Sequence, residues 1–429
     1  MMNLFPPLTA QQNHDLDLLL RVIEKALPLP ARFKEELPRH VAELSALLTR
    51  DRSEREGGYL GRPHLQSAYL RYFLPWNVFR LVKLLSALPL SFQEEDTIID
   101  YGAGPLTFTL ALWIARPELR TMSLHIKCID HTPSIMEAGK KVFTALVHAT
   151  LGPQDGTSDV AVLPWHIHTI KGGLDVPLKG PTPALVCAIN VYNELFWKKA
   201  EDAPVLAQRE SRRLHGLCAR NGSILVVEPG IPRSGHFCSL LRENFIQRGR
   251  SILAPCLHRE DCPMPGPPRQ KWCHFAFDTA EVPTALKDLS RKAHIPKERA
   301  TMSFIFAGPV DLASQIALNE ASNVPNTLKE SPHSSRDLQG GGKKGFPLRS
   351  FSSSSLPIRV ISDAFSLGPG LLGRYGCASC GLVLVRGTPA SMAAYTSGNR
   401  LDASPAMMKK ERDQKTGAPV VSLDAAKGP

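Results

Sequence analysis

The chain has 429 residues, 43% hydrophobic and 21% charged, with a formal net charge of +11 and nine cysteines. That length holds two domains and a tail, and the apolar share supplies a core, which excludes a wholly disordered chain. The apolar runs fall far short of the ~20 residues of a membrane span, and a basic balance of this size suits a polyanion, nucleic acid above all, the plainer alternative being a basic flank that aids solubility.

Met1–Leu20 lacks the basic-then-apolar order of a secretory signal and the Arg/Ser richness of a transit peptide, so the chain reads as cytoplasmic. Its cysteines then stay reduced unless they hold metal, and their odd number does not suit a disulfide framework.

Residues 1–95 read as helical. Apolar residues at helical spacing follow Asp15 and stop at Pro28 and Pro30; a second helix spans Ala31 to Leu48. A third helical run, Tyr59 to Leu88, contains Pro75, which predicts a break or a new helix there. Tyr69, Tyr72, Trp76 and Phe79, with Arg71 and Arg80, form either a nucleic-acid or cofactor-facing surface or, the blander and preferred reading, an aromatic core stripe.

From Asp96 to about residue 250 strands and helices alternate, which predicts an α/β, doubly wound, mostly parallel sheet. The strand around Ile98 ends in Asp100 and runs into Gly102-Ala103-Gly104-Pro105 and a helix, Leu106 to Ala115: a nucleotide-binding turn that lets a ligand approach the backbone. A second strand, Ser123 to Ile129, ends in Asp130, placed to accept both hydroxyls of a ribose. After the helix Ser134 to His148 come a weak strand near Val160–Leu163 and a fourth strand ending at Asn190. Asn193 and Glu194 just beyond it are candidates for substrate contact, or simply cap the next helix, Ala200 to Leu217. A fifth strand ends at Glu228. Ligands of such sheets bind at the carboxyl ends of the strands, where Asp100, Asp130, Asn190 and Glu228 fall.

Residues 251–315 carry the most informative stretch. After a helix Leu240–Gln247, Cys256, Cys262 and Cys273 sit in a loop stiffened by five prolines, too irregular for helix or strand. Converging thiols suit zinc or an iron–sulfur cluster, and the residue chemistry leaves the two even; the inert reading is three buried cysteines. A cluster needs a fourth thiolate, and Cys377 and Cys380 are the later candidates. Strands are predicted at Trp272–Phe277 and Ala300–Gly308. Residues 316–356 read as a flexible linker, 357–389 as a small β unit, and 390–429 as a disordered basic tail.

Three motifs in order, Asp100-Tyr-Gly-Ala-Gly-Pro-Leu-Thr, then Val227-Glu-Pro-Gly, then Ala254-Pro-Cys-Leu-His with Cys262-Pro and Trp272-Cys-His-Phe, resemble the methyltransferase-like proteins of small ribosomal subunit assembly, a family with bacterial and mitochondrial members. The resemblance covers about residues 30–310 and 355–387. It implies a class I S-adenosylmethionine methyltransferase-like domain with an N-terminal helical region and a cysteine-rich iron–sulfur extension, and binding to small-subunit rRNA and proteins, as a monomer and with no membrane partner. By the same resemblance Asp100, Gly102, Gly104 and Asp130 serve S-adenosyl-L-methionine, while Cys256, Cys262, Cys273 and Cys377 carry a [4Fe–4S] cluster. The lack of a transit peptide favours a bacterial, cytoplasmic member. An active rRNA methyltransferase and a zinc-stabilised RNA-binding protein are the alternatives. The two prolines of the base-methylating turn are missing after Asn190, so no catalytic residue is named, and the CxxxCxxC of radical chemistry is absent.

Overall fold

The computed structural model describes residues 3–49, 61–151, 163–195, 202–266, 271–310 and 355–426. The N-terminal helices are α1 (Ala10–Ala26), α2 (Ala31–Leu48), α3 (Pro63–Ala68) and α4 (Leu74–Ala87). Thr9 and Gln12 form a reciprocal capping box at the start of α1. Between α3 and α4 the chain widens into a π-helical turn, Tyr69–Phe73. The new helix expected at Pro75 is α4, with the proline in its first turn, where it lacks no needed donor.

The main sheet is built from β1 (Asp96–Tyr101), β2 (Leu124–Asp130), β3 (Trp165–Lys171), β4 (Leu185–Ile189), β5 (Ser223–Glu228), β6 (Arg250–Ala254), β7 (Phe275–Asp278) and β8 (Arg299–Val310). Its order is β3-β2-β1-β4-β5-β8-β6, with β7 also paired to β8. The first five strands are parallel; β8 runs antiparallel between β5 and β6. That order, with one reversed strand inserted near the edge, is the class I methyltransferase-like arrangement. β1 and β4 are buried on both faces because helices cover both. On one side lie α1, α4, α5 (Thr107–Ala115) and α6 (Pro133–Leu151), in one continuous core with the sheet. On the other lie α8 (Ala203–Leu217) and α9 (Pro232–Gln247), with a short α7 (Tyr192–Leu195) after β4. Every residue of α5 is buried, as suits a helix that is apolar all round.

Several expectations change. The strand expected near Val160–Leu163 falls almost wholly outside the described residues, and the third strand is β3. The final strands expected around the cysteine stretch are β7 and β8, which with β6 complete the main sheet, and α10 (Thr284–Lys292) lies between β7 and β8. The expected linker lies outside the described residues up to 354. The largest correction is at the C-terminus, where residues 400–422 hold three strands rather than a disordered tail. β9 (Leu356–Val360), β10 (Phe365–Gly368), β11 (Leu371–Ala378), β12 (Gly381–Gly387), β13 (Arg400–Ala403), β14 (Met408–Arg412) and β15 (Pro419–Ser422) form a second sheet, ordered β13-β9-β11-β12-β15-β14 with β10 on β11. The basic run Met408-Lys-Lys-Glu-Arg is its exposed edge strand, where charge guards an open edge against mispairing. Composition alone made that edge resemble a tail.

The N-terminal segment joins the layers. Phe5 stacks on Phe277 with ring centroids 4.5 Å apart, and the Leu4 amide donates at 3.3 Å to the carbonyl of Gly398, in the turn that leads into β13. Among the described residues no helix is long and apolar enough to cross a membrane.

Candidate functional site

The turn after β1 has the backbone expected of a ligand cradle. Gly102 and Gly104 hold φ values of +64° and +52°, a region that costs other residues ~1–2 kcal/mol. A Cβ on Gly102 would lie 2.5 Å from Val191 Cγ2, whereas one on Gly104 would meet nothing within 4 Å. Gly102 is therefore required by the fold, and Gly104 leaves room beside the turn. Gly139 of α6 packs so tightly on the turn that a Cβ there would lie 2.4 Å from the Pro105 carbonyl carbon.

Asp130 is half-buried beside this turn. Its Oδ2 accepts from the Gly104 amide at 3.0 Å and its Oδ1 from the Thr132 amide at 2.9 Å. The carboxylate thus holds the turn in shape, and each oxygen keeps a further lone pair. Asp100 lies beneath the turn rather than on its surface, 1% exposed. Burial pushes its pKa up to about 8, against the thiol of Cys187, which donates to Oδ1 at 3.4 Å. Glu228 is also fully buried and pushed up to about 8 by burial; its oxygens accept from the amides of Tyr192 and Asn193 at 2.9 and 2.8 Å. Of the four polar residues expected at the strand ends, Asp100 and Glu228 are turned into the fold.

The cysteine stretch is clamped from outside. Arg242 on α9 donates to the carbonyls of His258 and Glu260 at 2.9 and 2.7 Å. His236 donates to Pro265 O at 2.6 Å, Ser303 to Cys273 O at 2.8 Å, and Trp272 to Gly230 O at 3.2 Å. A proline-rich loop has few ladder partners, so side chains from α9 and β8 receive its carbonyls.

This clamping brings Cys256, Cys262 and Cys273 to Cys377 on β11. The Cys273 thiol is pushed well above its ordinary range by burial, then by Cys256, Cys262 and Cys377. Cys256 rises to about 11 by burial, Arg242 opposing. Cys377 is likewise raised by burial, then by Cys256 and Cys262. Cys380 packs instead against the core of the second sheet. None of the five is in a disulfide. Among the described residues no three His, Cys, Asp or Glu side chains are placed to hold one metal ion. The sequence reading missed Arg242 and Arg359 here; His258, part of the Ala254-Pro-Cys-Leu-His motif, has Nε2 3.3 Å from Cys377 Sγ. Arg242 lies on the helix just before the loop, but Arg359 is about a hundred residues away on β9 and carried no local signal.

A cavity of about 250 Å³ opens at the carboxyl ends of β4 and β5, roofed by the π-turn and α4. Tyr69, Phe73, Asn77 and Arg80 line it, as do Asn190, Asn193, Glu194 and Lys297. Tyr72 and Phe79 are core, and Arg71 is buried against Glu24, so the bland reading holds for these three. Lys297, unnoticed in the sequence, lies over the rings of Tyr72 and Trp76, 4.9 Å from each centroid; burial, then Arg80, lowers its pKa to about 7.

Residues 205–325 match the family model described as mitochondrial small ribosomal subunit Rsm22. No curated protein sequence matches the chain. Similar solved structures include a putative methyltransferase from Thermoplasma acidophilum, at 9% identity over 51% of this chain and 70% of that one, TM-score 0.29. A putative class I S-adenosylmethionine-dependent methyltransferase from Listeria monocytogenes has 9% identity over 71% of this chain and 90% of that one, TM-score 0.30. The 16S rRNA methyltransferase KamB has 14% identity over 51% and 90%, TM-score 0.29. The fold assignment rests on strand order and direction, not on these likenesses.

Proposed function

We propose that this chain is a methyltransferase-like factor of small ribosomal subunit assembly that binds small-subunit rRNA, carries a [4Fe–4S] cluster on Cys256, Cys262, Cys273 and Cys377, and holds S-adenosyl-L-methionine at Gly102, Gly104 and Asp130. The observation that carries the reading is the meeting of three thiols from one clamped loop with a fourth from a separate sheet. The family match over residues 205–325 spans three of the four.

Four thiols suit a cluster or a zinc ion, and the family resemblance favours the cluster. One tetrahedral ion draws four sulfurs to about 2.3 Å from a single centre. A cubane takes one thiolate at each of four irons and leaves the sulfurs farther apart. Cys256, Cys262, Cys273 and Cys377 lie close enough to feel one another's charge, which supports a shared site. Four thiolates around a cluster leave net negative charge. Arg242 and Arg359 lie close enough for their charge to be felt by, or to feel, these thiols. When bound, a cluster would supply a covalent link between the two sheets and one-electron chemistry.

At the other site, Gly104 leaves open room and Asp130 retains lone pairs, as a nucleoside would require. The cavity beside Asn190 favours a second reading, an active rRNA methyltransferase. Anaerobic purification with iron, sulfide and zinc analysis tests the cluster: about four irons per chain is expected, and stoichiometric zinc without iron would reject it. Salt-dependent binding to small-subunit RNA tests the partner, and transfer of labelled methyl groups separates the two readings. The family description names the mitochondrial subunit; imaging of a tagged chain decides between that compartment and the bacterial cytoplasm.

A further inference from the structure

We propose that the cavity over the carboxyl ends of β4 and β5 takes one unstacked base of single-stranded RNA, with Tyr69 and Phe73 as its stacking wall. The inference rests on the RNA-binding reading and names what that site receives.

The helix from Pro63 to Ala87 presents two different aromatic faces. Tyr72 and Phe79 are buried in the core, whereas Tyr69, Phe73, Asn77 and Arg80 are half-buried and border the cavity, with the buried Trp76 also lining it. The π-turn at Tyr69–Phe73 shifts the register between these faces, and such turns recur at functional sites. The Tyr69 and Phe73 rings lie 26° from parallel with centroids 5.9 Å apart, forming an aromatic shelf. Aromatic shelves take bases of any sequence, since every base has a π-face.

Size restricts the guest. A cavity of about 250 Å³ lies below the ~300–1,000 Å³ of sites that enclose drug-sized ligands, so it suits one ring system better than a whole dinucleotide. Polarity restricts it further. Asn190 has a left-handed φ of +59°, fixed by its amide donating to Val227 O at 2.7 Å. Its buried side-chain Oδ1 has no partner, and an amide can both give to and accept from a base edge. Arg80 and Lys297 stand against one acid, Glu194, which suits a guest joined to phosphates.

The position also fits. The Tyr69 hydroxyl is perturbed by burial, then by Glu194 and by Asp130. The cavity is bordered by the loop after β4, through Asn190, Asn193 and Glu194. Enzymes that act on a base take it out of its stack into a pocket of this kind.

The test uses the full chain, short single-stranded oligoribonucleotides of each uniform sequence, and an abasic ribose-phosphate strand of equal length. The wild type should prefer base-bearing strands about tenfold or more, the range of base–aromatic stacking. Tyr69→Leu/Phe73→Leu should bind both kinds alike while keeping the same salt slope. Should that variant not fold, ultraviolet cross-linking of the wild type decides. Adducts on Tyr69, Phe73 or Trp76 support the proposal, and adducts only elsewhere overturn it. Equal affinity for base-bearing and abasic strands overturns the cavity assignment but leaves salt-dependent RNA binding standing. No RNA binding overturns both. An acidic peptide that cross-links at Tyr69 and displaces the oligonucleotide would give the cavity to a protein segment and overturn it.

Discussion

Arg359, on β9 of the second sheet, donates from Nε to the main-chain carbonyl of Pro255, beside Cys256, at 3.1 Å. The same guanidinium donates from NH1 to Gly398 O at 2.7 Å. One buried cation thus ties the cysteine stretch to the second sheet. Replacing it with the similarly long Met should leave the Pro255 carbonyl without this donor, at about 1–3 kcal/mol, while Gly398 O keeps the Leu4 amide. Arg359→Met is expected to lower the urea midpoint and speed proteolysis of residues 355–426. An unchanged midpoint and digestion pattern would show that the contact is dispensable.

The placement of Cys377 among Cys256, Cys262 and Cys273, with Cys380 turned to the second core, predicts unequal substitutions. Cys377→Ser should lose most of the iron and visible absorbance of anaerobically prepared protein. Cys380→Ser should keep both. The reverse result would move the fourth ligand to Cys380.

The two glycines of the turn should respond differently. Gly102→Ala adds a clash with Val191 to an unfavourable φ, so thermal stability should drop sharply. Gly104→Ala bears only the conformational cost, ~1–2 kcal/mol, and should fold. Its affinity for S-adenosyl-L-methionine, followed by calorimetry, should fall at least tenfold as the methyl group fills the open side. Wild-type affinity in Gly104→Ala would exclude that side as the ligand's place.

Asp100 supplies a pH signature. Its folded pKa of about 8 stands above the ~3.9 of an unfolded chain, because burial disfavours the carboxylate and Oδ2 finds no partner. Between those values the folded state holds the extra proton. Its contribution is therefore full below pH ~4 and is lost as pH rises towards 8, by about 1.4 kcal/mol per unit. Asp100→Asn keeps the Oδ1 acceptor for Cys187 and cannot ionise. Urea midpoints measured from pH 5 to 8 should fall less steeply in this variant; identical slopes would show that Asp100 is ionised in the fold.

Local pattern was enough to reveal the α/β alternation, the strand–Gly102–Gly104–helix turn and the three-thiol loop, because each is written in adjacent residues: apolar period, glycine spacing, proline density. Even the limits of α2 follow from Pro30 before it and the end of the apolar period. What adjacent residues do not encode is which polar groups a fold turns inward. Asp100 and Glu228 sit at strand ends like Asp130, yet packing from both sides of the sheet buries them, and only Asp130 and Asn190 remain beside open space. The second sheet escaped notice for a related reason: Met408-Lys-Lys-Glu-Arg is a strand only because β15 offers its open edge, and a half-solvated edge has the composition of a tail. Lys297 and Arg359 likewise take their places beside Trp76 and Pro255 through contacts between residues far apart in the chain, whose energy depends on burial that only the tertiary structure decides.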